Sequence, residues 1–247
     1  MRSKLDLNLT INYSINFKLP KRAKKRIIFI ILHYTGMKNE AEALQRLCDY
    51  KSKLSSHYFI KNSGEVLKLV PDLYEAWHAG KSSWKKRKLL NKYSIGIEIS
   101  NPGHDHGFKE YKSSQIYSLI KLLKYLKKKY KIKKHNILGH SDIAPDRKKD
   151  PGEKFPWQKL ARNNLCKWHN LSVNELKKKR NLKVNFLEKK IFFKNLYKIG
   201  YSKKNKIEKR NYSVYLIKAF QRKYRQNLIN GKIDQECFLI SKNLIKT

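Results

Sequence analysis

Cysteine is almost missing from this chain, and the three present (Cys48, Cys166 and Cys237) are far apart and odd in number. That excludes a disulfide framework and a CxxC metal site. Cys48 and Cys237 fall in amphipathic stretches, where a small buried apolar side chain is the ordinary reading. Long apolar runs are absent too, and no segment reaches the length needed to cross a bilayer. Residues 1–25 are polar through Asn8, Thr10, Asn12 and Asn16, without a secretory apolar region, a small-residue cleavage site or an early cysteine for a lipid anchor. The expectation is a cytoplasmic protein, with the cell envelope, reached by an unrecognised route, as the alternative.

Acidic residues are the other shortage: 19 Asp and Glu against 58 Lys and Arg, a formal net charge of +39 over 247 residues. One reading is a polyanionic partner such as nucleic acid, anionic lipid or an acidic wall polymer. The other is compositional bias, because Lys, Ile, Asn, Tyr and Phe are enriched together. The charge is spread evenly, +20 over residues 1–150 and +19 over 151–247, unlike a dedicated basic arm. Runs such as Lys127-Lys128-Lys129 therefore read as solvated helix faces. No helix-turn-helix, RNA-binding or zinc-finger signature supports specific nucleic-acid binding.

The apolar pattern predicts a sheet packed with helices. Residues 27–32 read as a buried strand. Asn39 is expected to start an amphipathic helix with Glu42 completing a capping box and Ala43, Leu44, Leu47 and Cys48 facing inward. Residues 57–61 and 66–70 flank a hairpin turn at 62–65. Residues 94–100 form a strand with Ile95, Ile97 and Ile99 on one face and Glu98 on the other. Ser113 or Ser114 is expected to cap the longest helix, which runs to Tyr130 with Ile116, Leu119, Ile120, Leu123, Leu126 and Tyr130 on its inner stripe. Residues 136–140 form the last strand. After Trp168 the chain turns Lys-rich and weakly periodic, then gives a helix with Val214, Ile217, Phe220 and Tyr224 on one face. A turn at Asn230-Gly231 precedes a last helix capped by Asp234 and carrying Cys237, Ile240 and Leu244. The predicted fold is α/β (α+β), a mixed central sheet flanked by helices in residues 1–168, followed by a small basic all-helical domain in 169–247.

Two strands end on histidines, His33 and His140, and the second leads through a proline-bent loop to Lys148 and Asp150. Two histidines and a carboxylate are the ligand types of an open zinc site with one position left for water. The spacing is not a local signature such as HExxH, and either histidine alone also reads as a buried, hydrogen-bonded residue.

Five blocks carry a resemblance: Ile31-Leu32-His33-Tyr34-Thr35-Gly36, Ser55-Ser56-His57-Tyr58-Phe59-Ile60, Ala76-Trp77-His78-Ala79-Gly80, Ile95-Gly96-Ile97-Glu98-Ile99, and Gly139-His140-Ser141-Asp142-Ile143-Ala144-Pro145 through Asp150-Pro151-Gly152. In this order they resemble the zinc-dependent N-acetylmuramoyl-L-alanine amidases of the type-2 family, which share a fold with peptidoglycan recognition proteins. The likeness runs from about Asn16 to Trp157. It implies that His33, His140 and Asp150 bind Zn2+, that Glu98 is the general base, and that Lys148 stabilises the oxyanion. The residues agree: Glu98 stands opposite three isoleucines, and an extended segment would send Lys148 and Asp150 to the same side. The implied activity is hydrolysis of the amide between the lactyl group of N-acetylmuramic acid and L-alanine, on peptidoglycan or muropeptide fragments.

His57 and His78 read as groove residues or supports behind the metal ligands, with plain packing as the alternative. Trp77 and Trp84 offer an apolar wall for sugar or peptide, with core packing an equal competitor. His104 and His106 sit in what reads as a flexible loop and are not assigned to metal. More weakly, Ile199-Gly200-Tyr201, residues 219–225 and 231–234 resemble the three-helix peptidoglycan-binding domain that often follows such enzymes; a basic appendage stabilising the first domain is the alternative. A recognition protein that binds peptidoglycan without cutting it is the competing function, and the intact set of five residues argues against it.

Overall fold

The computed structural model describes residues 9–203 and 211–246; the first eight residues, part of the stretch read as lacking a leader, lie outside them. In chain order the strands are β1 (Leu9–Ile11), β2 (Phe17–Lys18), β3 (Phe29–Tyr34), β4 (Tyr58–Ile60), β5 (Val66–Lys68), β6 (Glu75–Ala76), β7 (Ser83–Trp84), β8 (Arg87–Lys88), β9 (Ser94–Ile99) and β10 (Ile137–Gly139). The helices are α1 (Glu40–Cys48), α2 (Ser113–Tyr130), α3 (His140–Ile143), α4 (Trp157–Arg162), α5 (Val173–Lys179), α6 (Phe186–Ile199), α7 (Tyr212–Tyr224) and α8 (Gln235–Lys246). Six strands form one sheet in the order β1-β5-β4-β9-β3-β10. Only the β4–β5 hairpin is antiparallel; the other pairings are parallel. The mixed sheet flanked by helices is the architecture the apolar pattern predicts.

β3 is apolar without alternation because both of its faces are covered. Ile30 and Leu32 join Ile95, Ile97 and Ile99 of β9 under α2, against Ile116, Leu119, Leu122, Leu123 and Leu126. Phe29 and Ile31 point the other way and share a core with Leu138, Leu196, Leu216 and Phe220. The helices after Trp168 thus close one face of the sheet, while α2 closes the other. Both faces need covering, since an open apolar face of this size would be an aggregation surface.

Several local expectations shift. Ser113 is the first helical residue of α2 rather than its cap; Lys112 holds the cap position. Gln115 does the capping instead, accepting from the Lys112 N–H at 3.0 Å and donating to the Ser100 carbonyl at 2.7 Å. In α1 the Asn39 side chain accepts from Ala41 and Glu42 N–H groups, and Glu42 returns no bond. β10 ends at Gly139, one residue early, so His140 opens a single helical turn instead of ending a strand. In α7 the inner stripe includes Leu216 and Ala219, while Val214 is 36% exposed. Asp234 caps α8 as expected, accepting from the Cys237 N–H at 2.9 Å. Among the described residues, no helix is long and apolar enough to cross a membrane.

Candidate active site

The carboxyl ends of parallel strands collect the chemistry. β3 and β9 pair in register with His33 beside Glu98, and β10 pairs on the other side of β3 with Gly139 beside Leu32. His140 follows immediately. Such strand ends are where α/β sheets place their ligands, because the chain leaves the sheet there and the side chains are free of the ladder.

His33 Nδ1, His140 Nδ1 and Asp150 Oδ2 lie 3.0 Å from one another in all three pairings. All three residues are buried. The hydrogen-bond network fixes which nitrogens carry protons. The Leu90 carbonyl can only accept, so the Ser94 hydroxyl donates to it at 2.7 Å. Ser94 Oγ then accepts from His78 Nε2–H at 3.1 Å, which leaves His78 Nδ1 bare to accept from His33 Nε2–H at 3.0 Å. His33 Nδ1 is therefore a lone pair. His140 Nε2–H donates to the Ala79 carbonyl at 3.3 Å, so its Nδ1 is bare as well. Burial, and after it the neighbouring His140, pushes His33 down to about 4, and burial lowers His78 further below its ordinary value. The His33 and His78 imidazoles are therefore neutral at pH 7.

Three acceptors thus converge with no proton between them. Such a set is repulsive by itself and attractive to a cation. Tetrahedral ligands at 2.0–2.1 Å from zinc would stand about 3.3 Å apart, close to the spacing seen. The donor set fits zinc in ligand type, protonation and spacing, and the His33–His78–Ser94 chain is the kind of outer support that orients ligating histidines.

Each ligand is held from behind. Gly96 of β9 makes room for His78, since a Cβ there would overlap the His78 ring. The turn carrying His140 is pinned through Asp142, whose carboxylate accepts from the Gly139 N–H at 2.9 Å, the Tyr201 hydroxyl at 2.8 Å and Lys223 Nζ at 2.7 Å. Asp150 is tied to the same turn by the Ser141 N–H, which donates to its carbonyl at 2.9 Å. Tyr201 and Lys223 come from the chain beyond Trp168, and nothing in their sequence neighbourhood pointed to the site.

A cavity of about 340 Å³ opens over these ligands, lined also by Trp77, Glu98, Arg147, Lys148 and Arg46. Glu98 Oε2 is buried without a hydrogen-bond partner among the described residues. Burial, reinforced by the Asp150 charge and opposed by Lys148, raises the Glu98 pKa well above the ordinary carboxylate range. Lys148 is exposed just beyond the turn at residues 145–147, its N–H donating to the Ala144 carbonyl at 3.0 Å, whereas Asp150 is buried. Both side chains nevertheless reach the same cavity.

The remaining candidates separate. His78 stands behind His33, and Trp77 lines the cavity. His57 is fully buried off the cavity wall, accepting from the Gly96 N–H at 3.0 Å and lying 3.0 Å from the Tyr74 carbonyl. Trp84 packs edge-on against Tyr201, away from the ligands. The loop expected to be flexible is fastened: His104 bonds Tyr34 at 2.9 Å and Glu153 at 3.0 Å and stacks on Phe108. Arg46 and Arg147 escaped sequence reading, because one more cation carries no signal in so basic a chain.

Residues 23–153 match the family described as N-acetylmuramoyl-L-alanine amidase. N-acetylmuramoyl-L-alanine amidase AmiD of Escherichia coli is 33% identical over 236 residues, 91% of this chain and 84% of that protein. The chain belongs to this amidase family. The amidase also matches the structure of E. coli AmiD in complex with anhydro-N-acetylmuramic acid-L-Ala-D-gamma-Glu-L-Lys, with a TM-score of 0.79 and 32% identity, over 93% of this chain and 92% of AmiD. AmpDh3 from Pseudomonas aeruginosa gives a TM-score of 0.79 at 29% identity, over 93% of this chain and 95% of that one. The amidase fold therefore extends through the C-terminal helices in these relatives. It is an N-acetylmuramoyl-L-alanine amidase, a hydrolase of peptidoglycan.

Proposed function

We propose that the amidase cuts muropeptide fragments at the bond between the lactyl carbonyl and L-alanine, using Zn2+ held by His33, His140 and Asp150. The observation that carries this is the convergence of three unprotonated donors beside a buried, unpartnered glutamate. When bound, zinc supplies a Lewis acid that polarises the carbonyl and makes water a nucleophile near neutral pH. Glu98 takes the proton of the attacking water and passes it to the leaving amine; its raised pKa suits both halves of that task. Lys148 turns its ammonium toward the oxygen on which negative charge builds. Trp77 offers an apolar wall for the substrate, and the cations Arg46 and Arg147 at the cavity draw stem-peptide carboxylates.

The residues to about 168 carry the chemistry in this reading, and 169–247 form the helical unit. The core that Phe29 and Ile31 share with Leu196 and Phe220 supports a buttressing role for that unit. The test is release of free stem peptide from purified muropeptides, followed by chromatography. Activity should vanish on chelation and return with Zn2+. Glu98→Ala should lower kcat by about 10²–10⁴ while the protein still binds zinc. Unchanged turnover in Glu98→Ala would remove the assigned base.

A further inference from the structure

A second cavity, of about 290 Å³, opens between β10 and the helices α6, α7 and α8, and it shares no lining residue with the active-site cavity. Its wall carries Trp84, Lys85, His135, Lys167, Lys198 and Lys223. Lys223 is neutralised by Asp142 at 2.7 Å. Lys85, Lys167 and Lys198 make no ion pair among the described residues. Lys85 and Lys167 crowd each other: burial, then Lys134 and Lys85, lowers the Lys167 pKa, and burial, then a ring of four lysines led by Lys85, lowers that of His135. Among the described residues, no carboxylate is among the causes for either group. Cations gathered on a concave, partly dehydrated wall raise the local potential and concentrate anions there.

One tryptophan completes the wall. Trp84 is 2% exposed, and its indole N–H has no acceptor among the described residues. Gly200 keeps the indole in position, since a Cβ there would overlap its ring.

We propose that this cavity binds a phosphate group, as the free ion or the terminal group of a small phosphate ester. Lys85, Lys167 and Lys198 surround it with ammonium groups, and the Trp84 ring forms part of its wall. The donors come from three separate segments, the turn after β7, the stretch between α4 and α5, and the end of α6. A tetrahedral oxyanion accepts from several directions at once. A planar carboxylate is met best by the guanidinium fork, and among the described residues no arginine lines this cavity.

The experiment titrates the full-length protein with inorganic phosphate at pH 7, holding ionic strength constant with chloride. Calorimetry and tryptophan fluorescence follow binding. Saturable one-site binding is expected, weakened at least tenfold in Lys167→Gln/Lys198→Gln, whose melting temperature and amidase activity should match the wild type. The fluorescence change should disappear in Trp84→Phe while the heat of binding persists. Tighter binding of glycerol phosphate would identify an ester as the source, and tighter binding of inorganic phosphate the free ion. A wild-type titration without saturation, or an undiminished response in the double variant, would overturn the site. An equal response to malonate would overturn the phosphate assignment.

Discussion

On one face of β9, Ile95, Ile97 and Ile99 press into the leucines of α2; on the other, Ser94, Gly96 and Glu98 stand among histidines. The two faces have one backbone and opposite tolerances. Under α2 many interchangeable contacts share the stabilisation, so removing a side chain costs free energy but leaves the chemistry in place. On the histidine face each residue has a single task. Ser94 fixes a tautomer, Gly96 gives clearance to a ring, and Glu98 offers an unpartnered carboxyl. A change there touches function before it touches stability.

Asp72 is a polar pin on the α2 face; it accepts from Tyr58 at 2.7 Å, Lys129 at 2.7 Å and Tyr130 at 2.6 Å. Burial alone would raise its pKa, but the bonds from Lys129 and Tyr130, the Lys68 charge and the Tyr58 bond outweigh it and hold the carboxyl well below the usual range. A depressed pKa stabilises the fold above the unfolded value near 3.8 and is lost as pH falls below it. Asp72→Asn should therefore cost about 3 kcal/mol at pH 7, the low end for a buried pair because Lys129 is itself 33% exposed. The difference from wild type should shrink below about pH 4, as checked by urea melts across pH. Leu123→Ala, in the apolar part of the same face, should cost about 2–5 kcal/mol with kcat unchanged at a permissive temperature. A large fall in kcat there would break the contrast between the faces.

Gly96→Ala should cost about 1–3 kcal/mol by overpacking, and activity should fall further than stability explains because His78 must move. Ser94→Ala should be the mildest in stability, yet it should weaken zinc binding by about 10-fold or more, measured by competition with a chelating dye. Wild-type zinc affinity in Ser94→Ala would detach the tautomer chain from the metal site.

The same contrast explains what could be read from the chain. β3 and β9 were legible because apolar runs and strict alternation are local signals. The ligand trio was legible only as ordered motifs, since 117 residues separate His33 from Asp150 along the chain. The helical turn at His140 was not, because Asp142 stabilises it through Tyr201 and Lys223, partners distant in sequence. α6 was obscured because lysines dilute the stripe made by Phe192 and Leu196. The fastening of His104 depends on Glu153, on another loop, so composition alone suggested mobility.

Phe29 and Ile31 sit in one oily layer with Leu196 and Phe220. A recombination breakpoint placed near Trp168 would leave both halves wet on a surface evolved to be dry. Grafting a foreign wall-anchoring module onto this enzyme should therefore start after Lys246, with the native helices retained, rather than exchange them as a cassette.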